Sequence, residues 1–313
     1  MNAAAQAAVI AGWASEIEAA RRLLESGDIA LNPAQDHGLA VPLAMVAAPA
    51  MWCFEVGDER SIFHVPMSEG TPPALRFGSD APEALELART WCRQAAELLN
   101  PRLKYVPALE ELIEAALNRG DDCHAMTAAG NQLFVDALGT IPDDLRSSLL
   151  GNAGFVLGIW MAWAGWKLKR SGSLIEAVGG NGIDFGWRPR GVQSWRTAPA
   201  ATPSGAIFKQ DRAAFSLGAI GDSALVDICG LGGQSLRFAP TLLAEWQHVL
   251  PDDVRTRHTR IIDPETGIVD VARVAKSGIG PIVNLAIVDR DGGGFPIGRG
   301  AYLAPPELFA TGG

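Results

Sequence analysis

The sequence predicts a mixed α+β fold of several parts with a small inserted helical bundle, and three observations lead there. Alanine- and leucine-rich stretches with helical apolar spacing fill the beginning and middle of the chain. Strand-length apolar runs between glycine and proline turns follow near residues 41–65 and again beyond residue 174. The two kinds of segment do not alternate regularly, which argues against a doubly wound nucleotide fold. The expected division is an α+β subdomain over residues 1–100, a small helical bundle over 101–150 and a glycine-rich α+β subdomain over 151–313. With 313 residues, 48% of them hydrophobic, the chain can bury a sizeable core.

Taken in order, an alanine-rich helix is expected from about residue 3 to Leu24, ended near Gly27. Strands are expected over 41–48, 50–56 and 61–65, in a stretch punctuated by proline and glycine. Ser79-Asp80-Ala81-Pro82 offers a cap with proline near the first turn, so a helix should run to about Leu99, where Asn100-Pro101 stops it. Three short helices follow over 107–118, 122–138 and 143–150, joined at Gly120 and at Gly139 to Pro142. The apolar run over 153–166 is shorter than the ~20 residues of a membrane span, and Lys167, Lys169 and Arg170 follow at once; a buried helix is expected. Beyond it, strands are expected over 174–178, 183–187, 192–197 and 224–228, helices over 240–249 and 269–276, and a buried strand over 281–288.

Charge and cysteine usage narrow the function classes. A formal charge of −9 and a pI near 5.1 disfavour nucleic acid and anionic membrane as partners, and an anionic substrate would need a local cluster of arginines. Cys53, Cys92, Cys123 and Cys229 show no C-x-x-C pairing, so reduced thiols in a cytoplasm are expected. Met1 and Asn2 precede alanines with no basic stretch, and Glu16, Glu18, Arg21 and Arg22 follow, a pattern wrong for a signal peptide.

The chemistry is expected in three glycine clusters that read as walls of one site: Gly179 to Gly186 with Asn181 and Asp184, Gly221-Asp222-Ser223-Ala224, and Gly230-Leu231-Gly232-Gly233-Gln234-Ser235. Each cluster is also what a tight turn in a β-rich layer looks like. The third matches neither the phosphate-loop nor the dinucleotide pattern, but consecutive amides can cradle an anion. Arg188, Arg190, Arg196 and Arg237 lie nearby, suited either to a carboxylate or phosphate or to surface ion pairs. His37, beside Asp36, reads as a general base or as an exposed loop residue; His124 reads either as catalytic or as the start of a helix that Asp121 or Asp122 simply caps, the second reading being the plainer. Cys123 and Cys229 read as nucleophiles or as buried thiols. His37, His124, Asp184 and Asp222 have no metal-ligand spacing, so neither a metal nor a cofactor is expected.

The ordered series Gly120-Asp121-Asp122-Cys123-His124, Asn181 to Gly186 with Trp195 and Ala198-Pro199-Ala200, Gly221 to Ala224, Gly230 to Gly233, Thr266 to Asp270, Gly280 to Asn284 and Gly300 to Pro306 resembles the family of the AllG-type subunit of oxamate carbamoyltransferase. The resemblance runs from about residue 10 to the end. It implies a multi-part α+β fold with an inserted helical bundle, and a place in allantoin-derived nitrogen catabolism. There a carbamoyl group passes between oxalurate and phosphate to give oxamate and carbamoyl phosphate. His37, His124, Asn181, Asp184, Arg188, Asp222 and Asp227 become the site candidates. Longer members of the family begin with a nucleotide-fold-like domain that is not expected in this sequence, and the family pattern is departed from at Asp36-His37 and Val41-Pro42-Leu43, which leaves room for a changed substrate.

On this reading His124 or His37 transfers a proton and Asp184 and Asp222 orient the reacting groups. Arg188 and Asn181 grip the substrate, while amides of Gly230, Gly232, Gly233 and Ser223 hold an oxyanion or phosphate. The expected ligand is a small anionic amide or ureido compound, in a homo-oligomer or with partner subunits. Hydrolysis of a related compound and ligand binding without catalysis are the rival expectations.

Overall fold

The computed structural model describes residues 1–68, 73–292 and 296–310. The chain opens with helices α1 (Asn2–Ile10) and α2 (Ile17–Glu25), then makes two single 3-10 turns before the hairpin β1 (Cys53–Asp58) and β2 (Ser61–Pro66). Helices α3 (Pro82–Arg89), α4 (Trp91–Leu103), α5 (Val106–Asn118), α6 (Ala128–Ala137), α7 (Asp143–Leu150) and α8 (Phe155–Arg170) follow. Strands β3 (Ile175–Asn181), β4 (Asp184–Pro189), β5 (Arg196–Pro199), β6 (Ser204–Ile207) and β7 (Ile220–Gly221) lead to the short helix α9 (Ala224–Ile228). The remainder is α10 (Pro240–Glu245), α11 (His258–Ile261), α12 (Val271–Ser277), β8 (Ile282–Ile287) and β9 (Gly298–Leu303). Helices and small sheets are mixed without regular alternation, as an α+β fold requires. Among the described residues no single helix is long and apolar enough to cross a membrane.

The described residues form three antiparallel sheets: the pair β1-β2, the four-stranded β5-β4-β3-β7 and the three-stranded β6-β9-β8. Helix α8 is apolar around nearly its whole circumference and sits between them, as such a helix must to hide every face. Its glycines set the spacing. A side chain at Gly158 would run into the Phe54 ring and one at Gly165 into the Phe63 ring, so these two positions let β1 and β2 lie directly on the helix. One continuous core then joins Phe54 and Phe63, helices α4, α5 and α6 through Leu99, Leu109 and Phe134, much of α8, and Trp187, Val226 and Phe309.

Several local expectations need correcting. The first helix breaks at Gly12, whose φ of +75° no right-handed helix accommodates. Residues 41–48 form no strand: Pro42 starts a 3-10 turn, and Leu43 and Ala44 adopt φ of +53° and +49°. The helix from residue 82 divides at Thr90 and its second part continues past Pro101 to Leu103; a proline there, so close to the helix end, disturbs only the last turn. The run 224–228 is helical: a five-residue segment with four apolar positions around Asp227 reads equally well as a strand or as one buried helical turn. Strands β6 and β9 went unread, their glycines masking the alternation.

Candidate functional site

Residues 120–127 form no helix because two carboxylates organise them instead. Asp121 accepts hydrogen bonds from the amides of Gly130 (2.7 Å) and Ala129 (3.3 Å), capping the first turn of α6. Asp122 gathers the amides of His124 (3.2 Å), Ala125 (3.1 Å) and Met126 (2.6 Å) and the side-chain amide of Asn284 on β8 (2.6 Å). Its own carbonyl accepts from the amide of Gly232 at 2.7 Å. The turn drives Cys123 to φ +67° and delivers His124 to α9.

There His124 Nδ1 lies 2.7 Å from Oδ2 of Asp227, a residue with no solvent exposure. The other oxygen, Asp227 Oδ1, accepts from the amides of Gly233 (2.7 Å) and Asn284 (3.0 Å). Gly232 makes the close approach feasible, since at φ +52° a Cβ on it would overlap the Asp227 carboxylate. Burial opposes charge on His124, but the Asp227 carboxylate, by charge and by hydrogen bond, and Asp122 behind it outweigh that and raise its pKa. With Nδ1 engaged, Nε2 is the ring nitrogen left for other work. His124 borders a cavity of about 210 Å³ whose lining also includes Met161, Ser223, Leu285 and Arg299. The arginine is held by Glu245, its Nη2 2.8 Å from Oε2, and by the carbonyl of Ala125.

The expected site residues therefore divide. His124, Asp227, Gly232 and Gly233 form one network, and Ser223 faces the same cavity. Yet the glycine amides are taken: that of Gly230 donates to the carbonyl of Asp227, that of Gly232 to Asp122 and that of Gly233 to the Asp227 carboxylate. Two of these amides satisfy backbone carbonyls and the third the buried Asp227 carboxylate, so this loop is not an open anion cradle. Gly230 is a turn residue, and the carbonyl of Gly267 fills the place of a side chain.

His37 and Asp222 lie on a second cavity, of about 630 Å³. Asp222 accepts from the side-chain amide of Gln35 and the backbone amide of Val41, both at 2.9 Å, and burial, partly offset by these donors, pushes its pKa up to about 6. Asn181 and Asp184 end the β3-β4 hairpin, where Asn181 Oδ1 accepts the amides of Ile183 and Asp184 in an Asx turn. Arg188 is engaged by Asp36 (2.9 Å) and Glu176 (2.6 Å), away from His124 and bordering a third, smaller cavity. The second and third glycine clusters thus meet at the His124 cavity, whereas Asn181 and Asp184 of the first lie in the hairpin turn and Asp222 faces the second cavity.

The thiols stay protonated at neutral pH: burial pushes Cys229 up to about 12, Lys167 offsetting only part of it, and burial with the two neighbouring aspartates raises Cys123. Among the described residues no group of three His, Cys, Asp or Glu side chains is placed to hold a metal ion. Sequence reading missed Asp122 as an organiser, together with Asn284, Gln35 and Arg299. Asp122 and Asn284 stand in recognisable motifs, but a spacing of 162 residues gives no sign that they touch.

Residues 29–223 match the family model described as oxamate carbamoyltransferase subunit AllG. Two Escherichia coli K12 proteins are similar over nearly the whole chain. The uncharacterized protein YahG is 25% identical over 97% of this chain and 72% of its own length. The oxamate carbamoyltransferase subunit AllG is 24% identical over 97% of this chain and 81% of its own. A crystal structure of a conserved protein of unknown function from Enterococcus faecalis V583 shares the fold, with a TM-score of 0.83 and 24% identity over 98% of this chain and 83% of the other.

Proposed function

The chain belongs to the oxamate carbamoyltransferase subunit AllG family, and from that premise we propose that it takes part in carbamoyl transfer on a small anionic amide or ureido compound, with His124 moving the proton. The observation that carries this reading is the His124 to Asp227 contact of 2.7 Å beside a cavity sized for a ligand of few heavy atoms. Asp227 fixes the proton on Nδ1 and leaves Nε2 as the base. In the direction that consumes oxamate, its amide nitrogen attacks the carbamoyl carbon of carbamoyl phosphate. The bond from that carbon to the phosphate oxygen breaks, phosphate leaves with the electron pair, and the nitrogen's proton passes to His124 Nε2 and on to phosphate. The reverse path forms carbamoyl phosphate from oxalurate. Ser223, on the same cavity, is the hydroxyl suited to the developing oxyanion.

One observation favours a partner-dependent form of the same reading. The cavity's guanidinium, Arg299, is already paired with Glu245, so the grip on two anions is weak within this chain and a partner subunit would supply it.

The test is to incubate the purified chain with oxamate and carbamoyl phosphate and follow oxalurate and phosphate, alone and with candidate partner subunits, beside His124→Ala. A loss of turnover of about 10²-fold or more in a folded His124→Ala supports the assignment. Turnover equal to wild type would overturn it, and activity only with partners added would establish the partner-dependent form.

A further inference from the structure

The cavity of about 630 Å³ has the dimensions of a site for a small organic molecule, and its lining is largely apolar. Ala4 and Ala8 of α1, Leu39, Met45 and Pro66 supply walls, with the half-exposed Trp13 at its edge. Among the described residues, Asp222 is the single acidic side chain on this lining, and no lysine or arginine lies there. Both carboxylate oxygens receive one neutral donor each, from Gln35 and from Val41, and each retains a second acceptor position. Burial raises Asp222, and His37, which shares this lining, is not among the groups that act on it, so the carboxylate has no cationic partner.

We propose that this cavity binds a small organic ammonium ion with an apolar body. The ammonium donates to the free acceptor positions of Asp222, the hydrocarbon lies among the alanines and Met45, and Trp13 packs on the apolar body at the edge. An uncompensated buried carboxylate favours a cation over a neutral donor, and the apolar lining favours a substituted ammonium over ammonia. The proposal does not rest on the carbamoyl chemistry assigned to His124.

Benzylamine is the probe, with benzyl alcohol as its neutral counterpart and benzoate as the anion, titrated calorimetrically into the full chain at neutral pH. Benzylamine should bind at least about tenfold more tightly than benzyl alcohol, and benzoate should not bind, the difference being that between a charged and a neutral hydrogen bond. Asp222→Asn should reduce benzylamine to the level of the alcohol. Trp13→Ala, at an exposed position that leaves the fold intact, should weaken benzylamine several-fold and keeps the proposal decidable if Asp222→Asn does not fold. The proposal is overturned if benzylamine fails to bind, if the alcohol binds as tightly, or if Trp13→Ala leaves benzylamine binding unchanged. A competent carbamoyl transfer assay alongside any of these results leaves the reading of His124 standing.

Discussion

The side-chain amide of Asn284 donates to Asp122 Oδ2 at 2.6 Å, while the backbone amide of the same residue donates to Asp227 Oδ1 at 3.0 Å. One residue of β8 thereby fastens both carboxylates that hold His124, the one that shapes its loop and the one that grips its ring. The histidine is positioned by three separate parts of the chain, and each can be cut by a single substitution.

Asn284→Ala keeps the backbone donor but leaves the buried Asp122 carboxylate one donor short. The expected cost is about 1–3 kcal/mol of stability, read as a lower midpoint in urea denaturation with an unchanged slope. A midpoint equal to wild type would show that Asp122 has another donor at hand.

Gly232→Ala should be more damaging than its size suggests. The added methyl meets the Asp227 carboxylate and sits on a backbone at φ +52°, so strain and overlap add. A loss of roughly 2 kcal/mol or more is expected, with the His124 ring resonances in NMR spectra displaced. A variant as stable as wild type with those resonances unmoved would contradict the packing described.

Asp227→Asn tests the electrostatics through pH. Asp227 and Asp122 raise the pKa of His124, so its basic form becomes populated only at higher pH than for an ordinary histidine. An activity that needs the free base therefore rises with pH along a limb displaced upward. Removing the Asp227 charge should move that limb toward lower pH, even as the maximal rate falls because the ring loses its fixed orientation. An unmoved limb, followed in the rate profile or by NMR titration of the ring, would show that another group sets it.

The sequence by itself determined the class of fold and much of its punctuation. The expected helix over 143–150 is α7, the apolar run beginning near residue 153 is the fully packed α8, and the run over 281–288 is β8, because length, apolar density and flanking glycines are local properties. His124 and the glycines at 232 and 233 were legible as candidates from their motifs, and Asp227 only through the family resemblance. What only the tertiary structure decided is which candidates meet. Asp227 lies 103 residues from His124 and Asn284 another 57 beyond Asp227, and such contacts arise from the packing of α9 and β8 around the core rather than from any spacing along the chain. The same packing sent Arg188 to Asp36 and Glu176, gave the amides of the Gly230 to Gly233 loop to Asp122 and Asp227, and placed Asp222 on a different cavity. A buried polar group takes its partner from whatever the fold brings within hydrogen-bond reach, so its role is fixed only once the chain has closed around it.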